Sequence, residues 1–128
     1  DTMELVTAGR LEREGNSYTL SYQESELTGL EGTLTTFQIE PERITLMRVG
    51  EFNSQMVFQE GRRHMSMYNT PYGAMTIGVN TRHLLAELDD QGGEIEIDYA
   101  IEIDHSVAGR NTFQINVKEA EGAAGLRI

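Results

Sequence analysis

The chain has 128 residues, enough for one domain with its own core, and sets 21 acidic residues against 10 basic ones for a net charge of −11. That balance argues against a nucleic-acid surface or an anionic membrane, since both need clustered Lys and Arg, and Arg62-Arg63 is the sole adjacent basic pair. Cysteine is absent, which removes disulfides and thiolate chemistry and fits a reducing, cytoplasmic setting; no apolar run approaches the ~20 residues that span a bilayer.

Residues 3–12 alternate loosely, with Met3, Leu5, Thr7 and Leu11 on one side. Glu14-Gly15-Asn16 then turns the chain into Tyr18, Leu20 and Tyr22 at period two, so a hairpin is expected. Glu24 and Glu26 continue the face of those aromatics to a strand end at Thr28-Gly29. A strand over 31–39 carries Thr33, Thr35, Phe37 and Ile39 on one face. Pro41 ends it, and Ile44 to Val49 form the next. Met56 and Phe58 share a face in a further strand, closed by Glu60-Gly61.

Between 64 and 68, His64, Ser66 and Tyr68 separate from Met65 and Met67, and Thr70-Pro71-Tyr72-Gly73 reverses the chain. Beyond it Met75, Ile77, Val79 and Thr81 alternate on odd numbers, whereas Leu84, Ala86 and Leu88 are even. A shift of parity is what a β-bulge or strand break produces; a helical turn over 82–88 is the competing expectation. After the Asp89 to Gly93 turn, Ile95, Ile97, Tyr99, Ile101 and Ile103 face Glu94, Glu96, Asp98, Glu102 and Asp104 across one half-buried strand. Phe113, Ile115 and Val117 form the last strand, and residues 120–128 are expected to form a flexible tail behind a single domain over 1–119. Eight or nine short strands without a helix predict an all-β antiparallel meander, which escapes exposed edges by closing into a barrel.

Tyr22-Gln23-Glu24, Thr36, Arg48-Val49-Gly50, Phe58, Tyr68 to Gly73, Thr81, Gly93 and Tyr99 lie in an order and spacing that resembles the YwiB-like bacterial proteins, from about residue 3 to residue 119. The resemblance implies a calycin-like, lipocalin-like β-barrel of about eight strands and no assigned activity. It also implies a further N-terminal strand ahead of Met3–Leu11 that this sequence does not show, so either the barrel is incomplete or that strand lies outside the sequence, and strand addition by a partner chain or second copy is one way to fill the gap.

Glu24 is in phase with Tyr18, Leu20 and Tyr22, and Arg48 with Ile44 and Leu46 unless Met47 and Val49 face the core. Two opposite charges on apolar faces suggest an internal ion pair. The resemblance adds that a calycin arginine packs on a ring to close one end, as Arg48 would on Tyr22 or Tyr68. The alternative is an anchor gripping a ligand carboxylate or phosphate. Glu24 and Glu26 would hold carboxylates ~6–7 Å apart on one strand face, near the glycosidase range, or be a solvated strand end. His64, in phase with Ser66 and Tyr68, is a proton-transfer candidate or a barrel-lining group. His83 and His105 lie far from it in sequence, so no metal is expected. The carboxylates from Glu94 to Asp104 read as a solvated face rather than a calcium site, which needs converging oxygens. Met47, Met56, Met65, Met67 and Met75 suit an adaptable cavity or a plain core.

Cofactor-binding and nucleophile motifs do not occur, and neither a cofactor nor a catalytic residue is expected. The leading expectation is a non-enzymatic barrel that binds a small, partly apolar or amphipathic ligand through Arg48, Glu24, Tyr22, His64, Tyr68 and Tyr99. The second is a filled barrel acting as an interaction module, a homodimer through an open edge at 3–12. The third is an enzyme in which His64 and Glu24 converge.

Overall fold

Period-two alternation becomes an antiparallel β-meander in the computed structural model, which describes residues 4, 6–51, 53–103, 106–119 and 126–127. In chain order the strands are β1 (Ala8–Glu14), β2 (Ser17–Gln23), β3 (Leu34–Glu40), β4 (Arg43–Val49), β5 (Ser54–Phe58), β6 (Arg63–Thr70), β7 (Gly73–Asp89), β8 (Gly92–Ile103), β9 (Ser106–Glu119) and β10 (Leu126–Arg127). One short 3-10 turn, Glu26–Thr28, interrupts them. The fold is all-β and antiparallel, as the alternation predicts. The start of the first expected strand, at Met3 and Leu5, lies outside the described residues.

Each strand pairs with its sequence neighbour from β1 to β9, so hairpin turns set the register locally. The pairing then comes back on itself through β10, whose Leu126 and Arg127 meet Glu119 and Lys118 on one side and Gly9 and Ala8 on the other. Two residues of the expected flexible tail are therefore paired in the sheet. Among the described residues, pairing is thinnest between β5 and β6, where Ser54 stands opposite Tyr68.

The parity shift along β7 is a bulge. Thr81 pairs with Tyr99 and His83 with Asp98, so Arg82 is the extra residue and the strand continues unbroken to Asp89. The expected helical turn over 82–88 does not form. At the β7–β8 turn the backbone leaves no room for side chains. A Cβ on Gly92 would lie 2.1 Å from the Val117 carbonyl oxygen, and one on Gly93 1.9 Å from that of Glu87. Both residues have φ in the range that favours glycine, 132° and 148°.

The inward faces of β2 to β5 and β7 to β9 fill the middle of the interior. Leu20, Phe37, Ile44, Phe58, Val79, Ile95 and Ile97 are each under 2% exposed, and each contributes about 1.5–3 kcal/mol by burial. Tyr99 stacks on Phe113 at 5.7 Å and meets Phe58 edge-on at 4.9 Å, a geometry suited to the ring quadrupoles. The methionines with described side chains do not all line this space. Met56 is buried, but Met65 and Met75 are 58% and 40% exposed, because the β6 and β7 registers turn Met65 outward and leave Met75 near the strand end.

Candidate functional site

Tyr22 stands opposite Thr35, Thr35 opposite Arg48, Arg48 opposite Ser54, and Ser54 opposite Tyr68. Residues directly opposite on neighbouring strands share a sheet face, so one row crosses five strands. Thr35 is fully buried, in phase with buried Phe37 and Ile39, which puts the row on the interior side. Arg48 therefore goes inward with Ile44 and Leu46, and the Met47/Val49 alternative falls. This row caps the apolar middle with polar groups.

Glu24 extends the row beyond β2, its N–H donating to the Thr33 carbonyl at 2.9 Å. It is 6% exposed. The Thr35 hydroxyl donates to Oε1 at 2.7 Å and the Thr28 hydroxyl to Oε2 at 2.8 Å. The expected Glu24–Arg48 ion pair is not made. Among the described residues the arginine ion pairs join Arg10 to Glu12, Arg13 to Asp90, Arg43 to Glu40 and Arg63 to Glu102. The reason is register: β4 lies two strands, about 10 Å, from β2, whereas the Thr35 hydroxyl comes from the strand between. Glu26 begins the 3-10 turn and is exposed, so the Glu24/Glu26 carboxylate pair on one strand face is also absent.

Arg48 is half-buried, and its Nε is buried with no hydrogen-bond partner. It is close enough to act on two phenols. Tyr22 is pushed up to about 12 by burial, by the charge of Glu24 and by its hydrogen bond with Glu24, against the opposing pull of Arg48. Tyr99 is raised by burial, again partly offset by Arg48. Tyr99 comes from β8, opposite Thr81, whose buried Oγ1 also lacks a partner. The interior thus holds one guanidinium, two phenols kept protonated at neutral pH, and a carboxylate satisfied by hydroxyls.

The other expected site residues scatter. His64 lies on the inner side, opposite Val79, but its Nε2 is 3.1 Å from Gln59 Oε1, and it is four residues, about 13 Å, along β6 from the Tyr68 position. It does not converge with Glu24. Tyr68 holds its register position in the row, though its side chain lies outside the described residues. His83 projects outward near Glu60 at 3.3 Å and Glu96 at 4.0 Å, and His105 lies outside the described residues. No group of three or more His, Asp or Glu that could hold a metal occurs among the described residues. Along β8, Glu94 is exposed, Asp98 accepts the Thr112 hydroxyl and Glu102 pairs with Arg63; they serve separate partners, as a solvated face does. Thr28, Thr35 and Thr81 were not among the expected site residues. Thr35 and Thr81 had a sequence signal, polar residues in phase with Phe37 and Ile39 and with Ile77 and Val79.

An all-β meander with this interior polar row is the class of protein found here. The chain matches the family described as a domain of unknown function, DUF1934, over residues 1–115, and it belongs to that family. A similar solved structure is the crystal structure of the ywiB protein from Bacillus subtilis, with a TM-score of 0.76, 23% sequence identity, and coverage of 89% of this chain and 76% of that one. That likeness is one of fold, and with the family match it bears out the YwiB-like resemblance. No curated protein matches. No helix among the described residues is long and apolar enough to cross a membrane.

Proposed function

We propose that this chain is a calycin-like barrel, a single domain over residues 1–119, that binds a small amphipathic anion without chemically changing it. The observation that carries the reading is the Arg48 Nε, buried without a partner. A buried donor left unpaired costs about 1–3 kcal/mol, and a ligand carboxylate or phosphate oxygen would remove that cost with a charge-assisted bond. The Tyr22 hydroxyl donates its hydrogen bond to Glu24, which leaves the protonated Tyr99 phenol, close to Arg48, as the further donor beside an anion. Glu24 is already satisfied by Thr28 and Thr35, so it positions Tyr22 rather than competing for Arg48. The ligand's apolar part would meet the aliphatic layer next to the row, Leu46 and Met56, since the middle is filled.

Native mass spectrometry of the freshly purified chain tests this. Extra mass that leaves on denaturation, and is lost in Arg48→Met while the variant stays folded, is the expected result. An Arg48→Met variant that carries the same mass, or a wild-type chain that stays bare when offered long-chain carboxylates and alkyl phosphates, removes the reading.

A second reading, strand addition at β1, has one observation for it. Beyond Ala8 and Gly9, β1 pairs on one side alone among the described residues. The same edge carries Arg10, Glu12, Arg13 and Glu14, charges of the kind that protect edges from pairing. Sedimentation that gives a monomer at all concentrations would sink it.

A further inference from the structure

The bulge in β7 has a chemical consequence on the outer face. Thr81 points inward and is buried, so regular alternation sends Arg82 outward. His83 would then return inward, but it lies in register with Asp98, whose neighbour Tyr99 is buried. The bulge therefore brings Arg82 and His83 to the same side. There they line a cleft of about 380 Å³ together with Asp98, Tyr99, Arg110, Asn111 and Thr112.

The charges in this cleft are unusual for so acidic a chain. Carboxylates outnumber basic residues 21 to 10, and four arginines elsewhere hold acidic partners. Arg82 and Arg110 hold none among the described residues, although both line one cleft from strands on either side of β8. The carboxylate in the lining, Asp98, takes the Thr112 hydroxyl at 2.5 Å, and His83 is tied to Glu60 at 3.3 Å. What the cleft leaves unengaged is two guanidinium forks, a set rich in donors. Two forks on different strands match an anion with several terminal oxygens and two charges better than they match a single carboxylate. The net charge of −11 opposes any long polyanion, which limits the ligand to a small molecule, and the cleft volume lies within the range of small-ligand sites.

We propose that this cleft is a surface site for a small phosphomonoester, with Arg82 and Arg110 gripping the phosphate. Arg82 and Arg48 lie on opposite faces of the sheet, with Tyr99 bordering both places, and the assignment stands whether or not the interior site binds anything.

A backbone NMR titration of the full chain with inorganic phosphate, and in parallel with acetate, at constant pH and ionic strength tests it. The expected result is saturable shifts centred on Arg82, His83 and residues 110–112. Their dissociation constant should rise roughly ten-fold in Arg82→Gln or Arg110→Gln, and stay unchanged in Arg62→Gln and Arg48→Met. Phosphate shifts that never saturate, that follow Arg62 and Lys118 equally, or that acetate reproduces at the same concentrations would overturn the assignment. Because Arg48→Met is read in the same titration, failure here and failure of the interior site are told apart.

Discussion

The middle of the interior and its Arg48 end are walled by the same strands but satisfied in opposite ways. In the middle, Leu20, Phe37, Ile44 and Phe58 are all but sealed from solvent and need nothing but volume to be filled. One or two rows away along the strands, Tyr22, Thr35 and Arg48 bring donors and charge into the same space. There stability depends on whether each polar atom finds a partner. Glu24 finds two, and Arg48 Nε finds none. The Arg48 end satisfies its carboxylate and leaves one guanidinium nitrogen without a partner, whereas the middle holds no polar group that needs one.

That contrast can be broken from either side. The largest effect belongs to the middle: Phe58→Ala, which empties a site in contact with Tyr99 and Phe113, should cost about 3–5 kcal/mol in denaturant unfolding. A cost below about 1 kcal/mol would mean the middle is looser than its burial implies. Thr35→Val keeps the volume but strips Glu24 Oε1 of its hydroxyl, and should cost about 1–3 kcal/mol. Its neighbour Thr36→Val, on the opposite face of β3, should cost far less. Arg48→Met should lie within about 1 kcal/mol of the parent or exceed it, since replacing a poorly satisfied buried charge with apolar volume is often neutral or stabilising. A loss of several kcal/mol would instead make Arg48 a structural closure of that end.

The last effect is confined to alkaline pH. The Tyr22 phenol titrates near 12 in the folded chain against an ordinary 10.0, so the folded state holds its proton more tightly than the unfolded state does. The resulting stability is complete below pH 10 and is lost as pH rises towards 12. Tyr22→Phe should flatten that decline in unfolding free energy between pH 10 and 12; an unchanged slope would assign the decline to other groups.

Much of this was legible from alternation alone. The parity of Tyr22 and Glu24 pointed inward, that of Arg48 left two faces open until the register chose one, and the switch from odd to even apolar positions between Thr81 and Leu84 marked where a bulge or break had to lie. The distribution of the methionines was not legible, nor was the separation of His64 from Glu24, because both depend on how far each residue lies along its strand from a given row. The ion pair expected between Glu24 and Arg48 failed for the same reason. Being in phase puts two charges on one face without putting them side by side, and Thr35 stood between.

By itself the sequence determined which residues face inward and where the chain reverses, since a period of two and the turn residues act over a few neighbours. Only the tertiary structure decided which inward residues meet. It set Tyr99 of β8 near Arg48 of β4, ordered the hydroxyls around Glu24, and gathered Arg82 and Arg110 into one cleft. Those meetings depend on register summed across many strands, where each single-residue shift moves a side chain by about 3.3 Å and turns it to the other face.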